Sequence, residues 1–241
     1  MMGEFIPMQF LWVLVILIVS YLLGAIPFGL LIVKLRTGKD LRQVESGRTG
    51  GTNAMRAAGC LAGGLTTVLD VTKATLCAWL AIELLPNSYW IHVLAPVMAI
   101  LGHNYSIFLI ERDEKRGVRL RGGAGGAPAV GGAIGLWFPS LFIIAPLGFV
   151  IFYFIGYASI ATMSVPILAI LIFSIRAYMG VSPWQYVFYG VIAEFILFWA
   201  LRPNIRRLIR GEERLVGWRA RRRKIKTGSP GETKEPVDSD Q

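Results

Sequence analysis

Hydrophobic and polar positions fall into long blocks rather than a short alternation. From about Met8 to Val33 the chain carries no charge, and the run passes through Gly24, Pro27 and Gly29 to Lys34. Further apolar runs lie at about 61–85, 90–110, 138–157, 159–178 and 184–201. Each approaches the ~20 residues that a helix needs to cross the hydrocarbon core of a bilayer. A shorter stretch, 126–137, holds Pro128 and several glycines. A cleavable leader would have an apolar core of about 7–15 residues followed by a small-residue cleavage site, so the first run is expected to remain as a helix. The pattern predicts an all-α integral membrane protein.

Composition agrees. The 241 residues are 54% hydrophobic and 17% charged, with a mean hydropathy of +0.56, whereas soluble domains are about 25% charged. The net charge of +10 matters through its placement, since 22 of the 25 Lys and Arg sit in three segments. Six lie between Lys34 and Arg56, five between Arg112 and Arg121, and eleven between Arg202 and Lys226. The connections near 86–89 and 179–183 have none. Basic loops stay in the cytoplasm, so an even number of crossings must separate the second segment from the third. The long runs there supply three, which makes 126–137 a fourth, short crossing. The expected fold is a bundle of about seven transmembrane helices with glycine-rich cytoplasmic loops, N-terminus outside and C-terminus inside. Arg176 then lies near the outer face, where it can snorkel.

Residues 1–214 are expected to form the membrane unit, and 215–241 a basic and then disordered tail. Beside a membrane helix, the basic stretch 219–226 is read as a topology anchor that attracts anionic headgroups, not as a nucleic-acid site. Cys60 and Cys77 lie in apolar surroundings, and His92 and His103 are the only histidines. That excludes a disulfide framework, a thiolate zinc site and a His-rich metal centre; neither metal nor cofactor is expected.

Candidate chemistry clusters on the cytoplasmic side. Ser46-Gly47-Arg48-Thr49-Gly50-Gly51-Thr52-Asn53, followed by Arg56, offers backbone amides, a helix start and a guanidinium for an anion; a flexible loop is the plain alternative. Arg121-Gly122-Gly123-Ala124-Gly125-Gly126 repeats the theme, with small-residue helix packing as its alternative. Asn204, in the arginine-rich stretch 202–213, is placed to hydrogen-bond a substrate. Asp70 and Lys73 stand one helical turn apart in an apolar run, either as a functional pair or as one that satisfies itself. His103 is either a packing residue or a base.

The ordered set of motifs resembles the bacterial acyl-phosphate:glycerol-3-phosphate acyltransferases. The likeness runs from about residue 20 to 214, through Gly24–Gly29, Gly38–Arg42, Ser46–Gly59, Asp70–Lys73, Leu101–Asn104, the 121–131 glycine loop, Gly156–Ser159 and Asn204–Leu208, ending on Gly211 and Glu213. The resemblance implies a seven-span enzyme of the bacterial inner membrane. Such an enzyme passes a fatty acyl group from acyl phosphate to the 1-hydroxyl of glycerol 3-phosphate, and an enzyme supplying acyl phosphate is a candidate partner. It implies Ser46, Arg56 and Asn204 as catalytic residues. Arg48, Thr52, Asn53, Lys73, His103, Arg121, Gly122, Gly123 and Gly125 are then substrate-binding. Four positions depart from the family pattern. Arg48 stands where an asparagine is usual, Ala124 replaces a lysine with Pro128 in place of a threonine, and Leu201 replaces a histidine. The lost cation is expected to be supplied by Arg48. Two other readings remain at this stage: a non-catalytic family member that binds phosphorylated lipid or a partner, and a transporter built around Pro27, Pro128 and the Asp70–Lys73 pair.

Overall fold

The structure, a computed structural model, describes residues 5–113 and 117–226. The expected disordered tail from 227 onward, and Lys115 and Arg116 of the second basic segment, lie outside the described residues. The apolar runs form helices. The first is helix α1 (Phe5–Ala25), which breaks at Ile26–Pro27 and resumes as α2 (Phe28–Thr37). Proline lacks an N–H and disfavours helical geometry in the residue before it, so the break falls where the sequence places Pro27. Next come α3 (Gly51–Ala58), α4 (Cys60–Leu84), α5 (Tyr89–Asn104) and α6 (Gly126–Leu136). They are followed by α7 (Leu141–Val150), which widens into a π-type turn over Ile151–Ile155, and by α8 (Ala158–Tyr178), α9 (Gln185–Ile209) and α10 (Gly217–Lys226).

Among the described residues, five helical stretches are long and apolar enough to span a membrane, starting at Met8, Cys60, Phe138, Ala158 and Gln185. Their outer faces carry exposed Phe10, Trp12, Phe142, Phe149, Leu171 and Phe195. Such a surface is stable against lipid and not against water. The two shorter helices, α5 and α6, are the buried centre. One core joins Val93, Val97 and Ile100 of α5 to Ala129 and Ala133 of α6, Phe173 of α8, and Tyr189 and Leu197 of α9. A second joins α1, α4 and α5 through Ile16, Ala74, Cys77, Ala95 and Ala99. Helices α4 and α6 run in close contact because Gly131 has no side chain: a Cβ there would lie 2.0 Å from the Val71 carbonyl oxygen. Thr75 Oγ1 donates across the same seam to the Gly131 carbonyl at 2.8 Å, as small-residue helix packing in membranes predicts.

One feature differs from the expectation and two add detail to it. Helix α5 stops at Asn104, and the run expected to continue to residue 110 turns into a hairpin, β1 (Ile110–Asp113) with β2 (Gly117–Leu120), pairing Ile110 with Leu120 and Glu111 with Arg119. The bundle is therefore helical with one added hairpin. The basic segment after 214, expected as the start of a tail, forms a helix as far as Lys226 that docks on the π-type turn. Val216 N donates to Gly156 O at 2.8 Å, and Arg219 Nη1 donates to Ile155 O at 3.1 Å. Arg176, expected to snorkel, lays its guanidinium over Trp137, 4.0 Å from the ring centre, and donates to Val181 O.

Candidate active site

The first loop is braced from within. Asp40 accepts Arg42 N at 2.9 Å and binds its guanidinium at 2.7 Å, and this pairing holds the carboxyl below its usual range. Asn53 Nδ2 donates to three loop carbonyls: Leu41 O, Val44 O and, at 2.8 Å, Arg48 O. Asn53, expected to bind substrate, thus spends its amide nitrogen on shaping the loop. The loop ends at α3, whose Gly50 cap supplies no side-chain partner, so the first amides of the helix remain available to an anion.

The second loop lies flat on the C-terminal end of α5. Gly123 N donates to His103 O at 2.8 Å, Thr49 N to Gly122 O at 3.3 Å, and Ser106 N to Arg121 O at 3.0 Å. A Cβ on Gly122 would meet His103 O at 2.1 Å, and one on Gly123 would meet His103 Nε2 at 1.9 Å. Only glycine fits at either position. The loop closes at Gly125, in the left-handed region at φ +87°, and α6 begins there without a side-chain cap.

The two uncapped helix starts face one cavity of about 540 Å³. Its polar end holds Ser46, Arg48, Thr52 and Arg56 of the first loop and α3, Gly125 of the second loop, and Asn204 of α9. Its other limb runs between α7 and α8 past Ile144, Gly148, Phe149, Phe152 and Val165. Burial, and then the neighbouring Arg214, depress the pKa of Arg56, but a guanidinium stays cationic at any physiological pH. Arg48 crosses to α9, where Nη2 donates to Asn204 Oδ1 at 3.0 Å and to Ala200 O at 2.8 Å, while Nη1 is buried without a protein partner. Asn204 Nδ2 donates in turn to Glu213 Oε1 at 2.8 Å, and Arg207 Nε to Glu213 Oε2 at 3.2 Å.

Other expected site residues stand elsewhere. Lys73 does not reach the cavity: it is buried behind the wall, its Nζ 2.8 Å from Asp70 Oδ1, 3.0 Å from His103 Nδ1 and 3.2 Å from Ile26 O. An ammonium removed from water is held by a carboxylate and a carbonyl, which makes Lys73 a buttress. Asp70 and His103 do line the cavity, with His103 Nδ1 3.4 Å from Asp70 Oδ1. Arg121, Gly122 and Gly123 open onto a neighbouring second cavity. Sequence reasoning assigned no role to Ser159, buried at 2% exposure with an unpartnered hydroxyl on the wall, nor to Arg207 and Arg214. It also passed over the apolar limb, which residue types alone cannot separate from ordinary membrane helix. Among the described residues, no group of three or more His, Cys, Asp or Glu side chains is disposed to hold a metal ion.

A polyamphipathic pocket of this kind, cationic at a loop-lined mouth and apolar between membrane helices, defines a membrane protein that handles lipid-like phosphate compounds. The comparisons give the particular family. Residues 14–211 match the family described as glycerol-3-phosphate acyltransferase. The chain is 34% identical over 213 residues to the glycerol-3-phosphate acyltransferase of Thermus thermophilus, covering 86% of this chain and 96% of that one. It is 33% identical over 205 residues to that of Rubrobacter xylanophilus, covering 85% and 96%. Its fold is similar to crystal structures of PlsY, an integral membrane glycerol 3-phosphate acyltransferase. For the glycerol 3-phosphate form the TM-score is 0.73 at 28% identity, with 90% of this chain and 99% of that one covered. For the lysophosphatidic acid form it is 0.71 at 28%, with 85% and 95% covered. The chain belongs to the glycerol-3-phosphate acyltransferase family, and it is a multi-pass integral membrane acyltransferase.

Proposed function

We propose that the cavity joins a fatty acyl group, delivered as acyl phosphate, to the 1-hydroxyl of glycerol 3-phosphate, giving lysophosphatidic acid and inorganic phosphate. The observation that carries this reading is the continuity of the polar end with the apolar limb between α7 and α8, which suits a phosphate joined to an acyl chain. Ser46, Arg56 and the first amides of α3 hold the phosphate of the donor. Gly125 and the start of α6, with Arg48, hold the phosphate of the acceptor. The hydroxyl oxygen bonds to the acyl carbonyl carbon, the bond from that carbon to the phosphate oxygen breaks, and phosphate leaves. The hydroxyl proton passes to a phosphate oxygen, so no protein base is required. The mixed anhydride is already activated, and the protein contributes positioning and charge neutralisation.

Two phosphates in one pocket repel each other. Ala124 leaves a gap in the positive wall, and Arg48 fills it from the facing loop through the Nη1 that no protein group uses. In the cell the enzyme sits in the bacterial inner membrane with the glycine loops cytoplasmic. Its basic α10 rests on anionic headgroups, and a donor-supplying enzyme works beside it. Purified protein given palmitoyl phosphate and glycerol 3-phosphate should release phosphate and form lysophosphatidic acid in equal amounts. A second reading has its own observation: Ala124 and the buried Leu201 both face the cavity, where the family pattern carries lysine and histidine. An inactive parent that gains turnover on Ala124→Lys would establish that reading, a binding protein without catalysis.

A further inference from the structure

We propose that the second cavity on the glycine-loop face is a binding site for a soluble, multiply charged phosphate compound, distinct from the substrates of transfer. The cavity measures about 590 Å³ and borders five arginines, Arg48, Arg119, Arg121, Arg202 and Arg206, with no carboxylate among the described residues of its wall. Two of the five are oriented by neighbours. Arg121 Nε pairs with Glu111 Oε2 at 2.5 Å, and the Arg202 guanidinium stacks 3.3 Å from the centre of the Trp199 ring. Like charges gathered around a concave wall focus positive potential into it, and guanidinium forks match phosphate oxygens in pairs.

One buried group points independently to a ligand. Asn104 borders this cavity at 4% exposure, and neither its amide nitrogen nor its amide oxygen has a protein partner. Buried polar groups are rarely left unpaired, because desolvation without a hydrogen bond is costly. The ligand is soluble rather than a lipid headgroup, because the wall has no limb for an acyl chain. Its apolar side chains are those of Tyr105, Leu120, Trp199, Ala200 and Pro203. Ser46 and Arg48 border both cavities. An anion in the second cavity therefore competes with Asn204 for Arg48 and slows transfer, a consequence that rests on the role proposed for Arg48 above, whereas binding itself does not.

The test is calorimetric titration of inorganic pyrophosphate into the full chain in non-ionic detergent. Parent and Arg56→Ala should each bind one equivalent, and Arg119→Gln with Arg206→Gln should bind about tenfold more weakly or worse, having lost two charge-assisted contacts. Arg119→Lys with Arg206→Lys should restore part of the affinity, which excludes misfolding as the cause of the loss. No binding to the parent, or equal binding to the double Gln variant, overturns the site. Loss in Arg56→Ala but not in the double variant places pyrophosphate in the transfer cavity and also overturns it. Tighter binding of short-chain phosphatidic acid than of pyrophosphate in the same titration overturns the soluble assignment.

Discussion

Arg48 holds Asn204 with one nitrogen of its guanidinium and leaves the other bare and buried, so it links the loop to α9 and, in the proposed function, keeps a donor for substrate. Arg48→Asn alone should therefore lose activity, and Arg48→Asn with Ala124→Lys should recover much of it; equal rates in parent and both variants would remove Arg48 from the pocket. Arg56→Ala and Ser46→Ala should leave a folded protein. Losing one charge-assisted phosphate contact costs a few kcal/mol, roughly two orders of magnitude in turnover, and near-normal kinetics in Arg56→Ala would detach the loop from the chemistry. Asp40 offers a pH-dependent stability test away from the site. Its folded pKa lies below the unfolded value of about 3.9, so its contribution is present above about pH 4 and is lost as pH falls through the folded pKa. Because the pair is about one-third exposed, Asp40→Asn should cost only ~0.5–1 kcal/mol at neutral pH. Melting curves of the two forms should converge in strong acid. Ser46, Arg56 and Asn204, singled out from the sequence, all line the one cavity, because phosphate chemistry would select few residue types. Lys73 was misplaced because the sequence cannot show that its charge is already taken by Asp70 and a carbonyl.

At the scale of elements, the helices were legible wherever an apolar run is long, and the exceptions have physical causes. The hairpin escaped because each strand has four residues and its charged positions read equally well as a loop. Helix α6 has 11 residues and rises ~16 Å, about half the thickness of the hydrocarbon core. It holds its place through contact with α4 rather than through length. That contact is testable at two glycines of contrasting surroundings. Gly131→Val would drive carbon into the Val71 carbonyl 2.0 Å away and should destabilise by ~1–3 kcal/mol or more. Because α6 opens at the active site, turnover should fall with it. Gly64→Ala in α4 meets nothing within 4 Å and removes a flexible residue from a helix, so it should be neutral or stabilising by up to ~1 kcal/mol. Thermal melting in detergent separates the two, and a Gly131→Val protein that melts with the parent would show that the α4–α6 seam does not carry the fold.

For the molecule as a whole, we propose that orientation comes from charge rather than from packing. The bundle buries α5 and α6 and exposes apolar surface around its sides, which is compatible with insertion either way up. The 22 basic residues in three segments choose between the two. Both glycine loops, the mouth of the transfer cavity and the second cavity must share a face if the two substrates and the arginines are to meet. The structure brings these loops together through Thr49 N donating to Gly122 O. Two loops in contact cannot lie on opposite sides of a membrane, so the chain between them crosses an even number of times, and we propose two crossings, by α4 and α5. By the same reasoning α6 to α9 make four, because Arg48 of the first loop reaches Asn204. Parity from contacts and parity from charge are both compatible with the seven crossings that we propose, α1 and the short α6 among them. The expected result is that Arg119→Cys, placed on the hairpin in a Cys60→Ser background to remove the exposed native thiol, reacts with a membrane-impermeant maleimide only from the cytoplasmic side. Labelling from the outside would invert the molecule. It would also leave phosphorylated substrates made in the cytoplasm without access to Arg56.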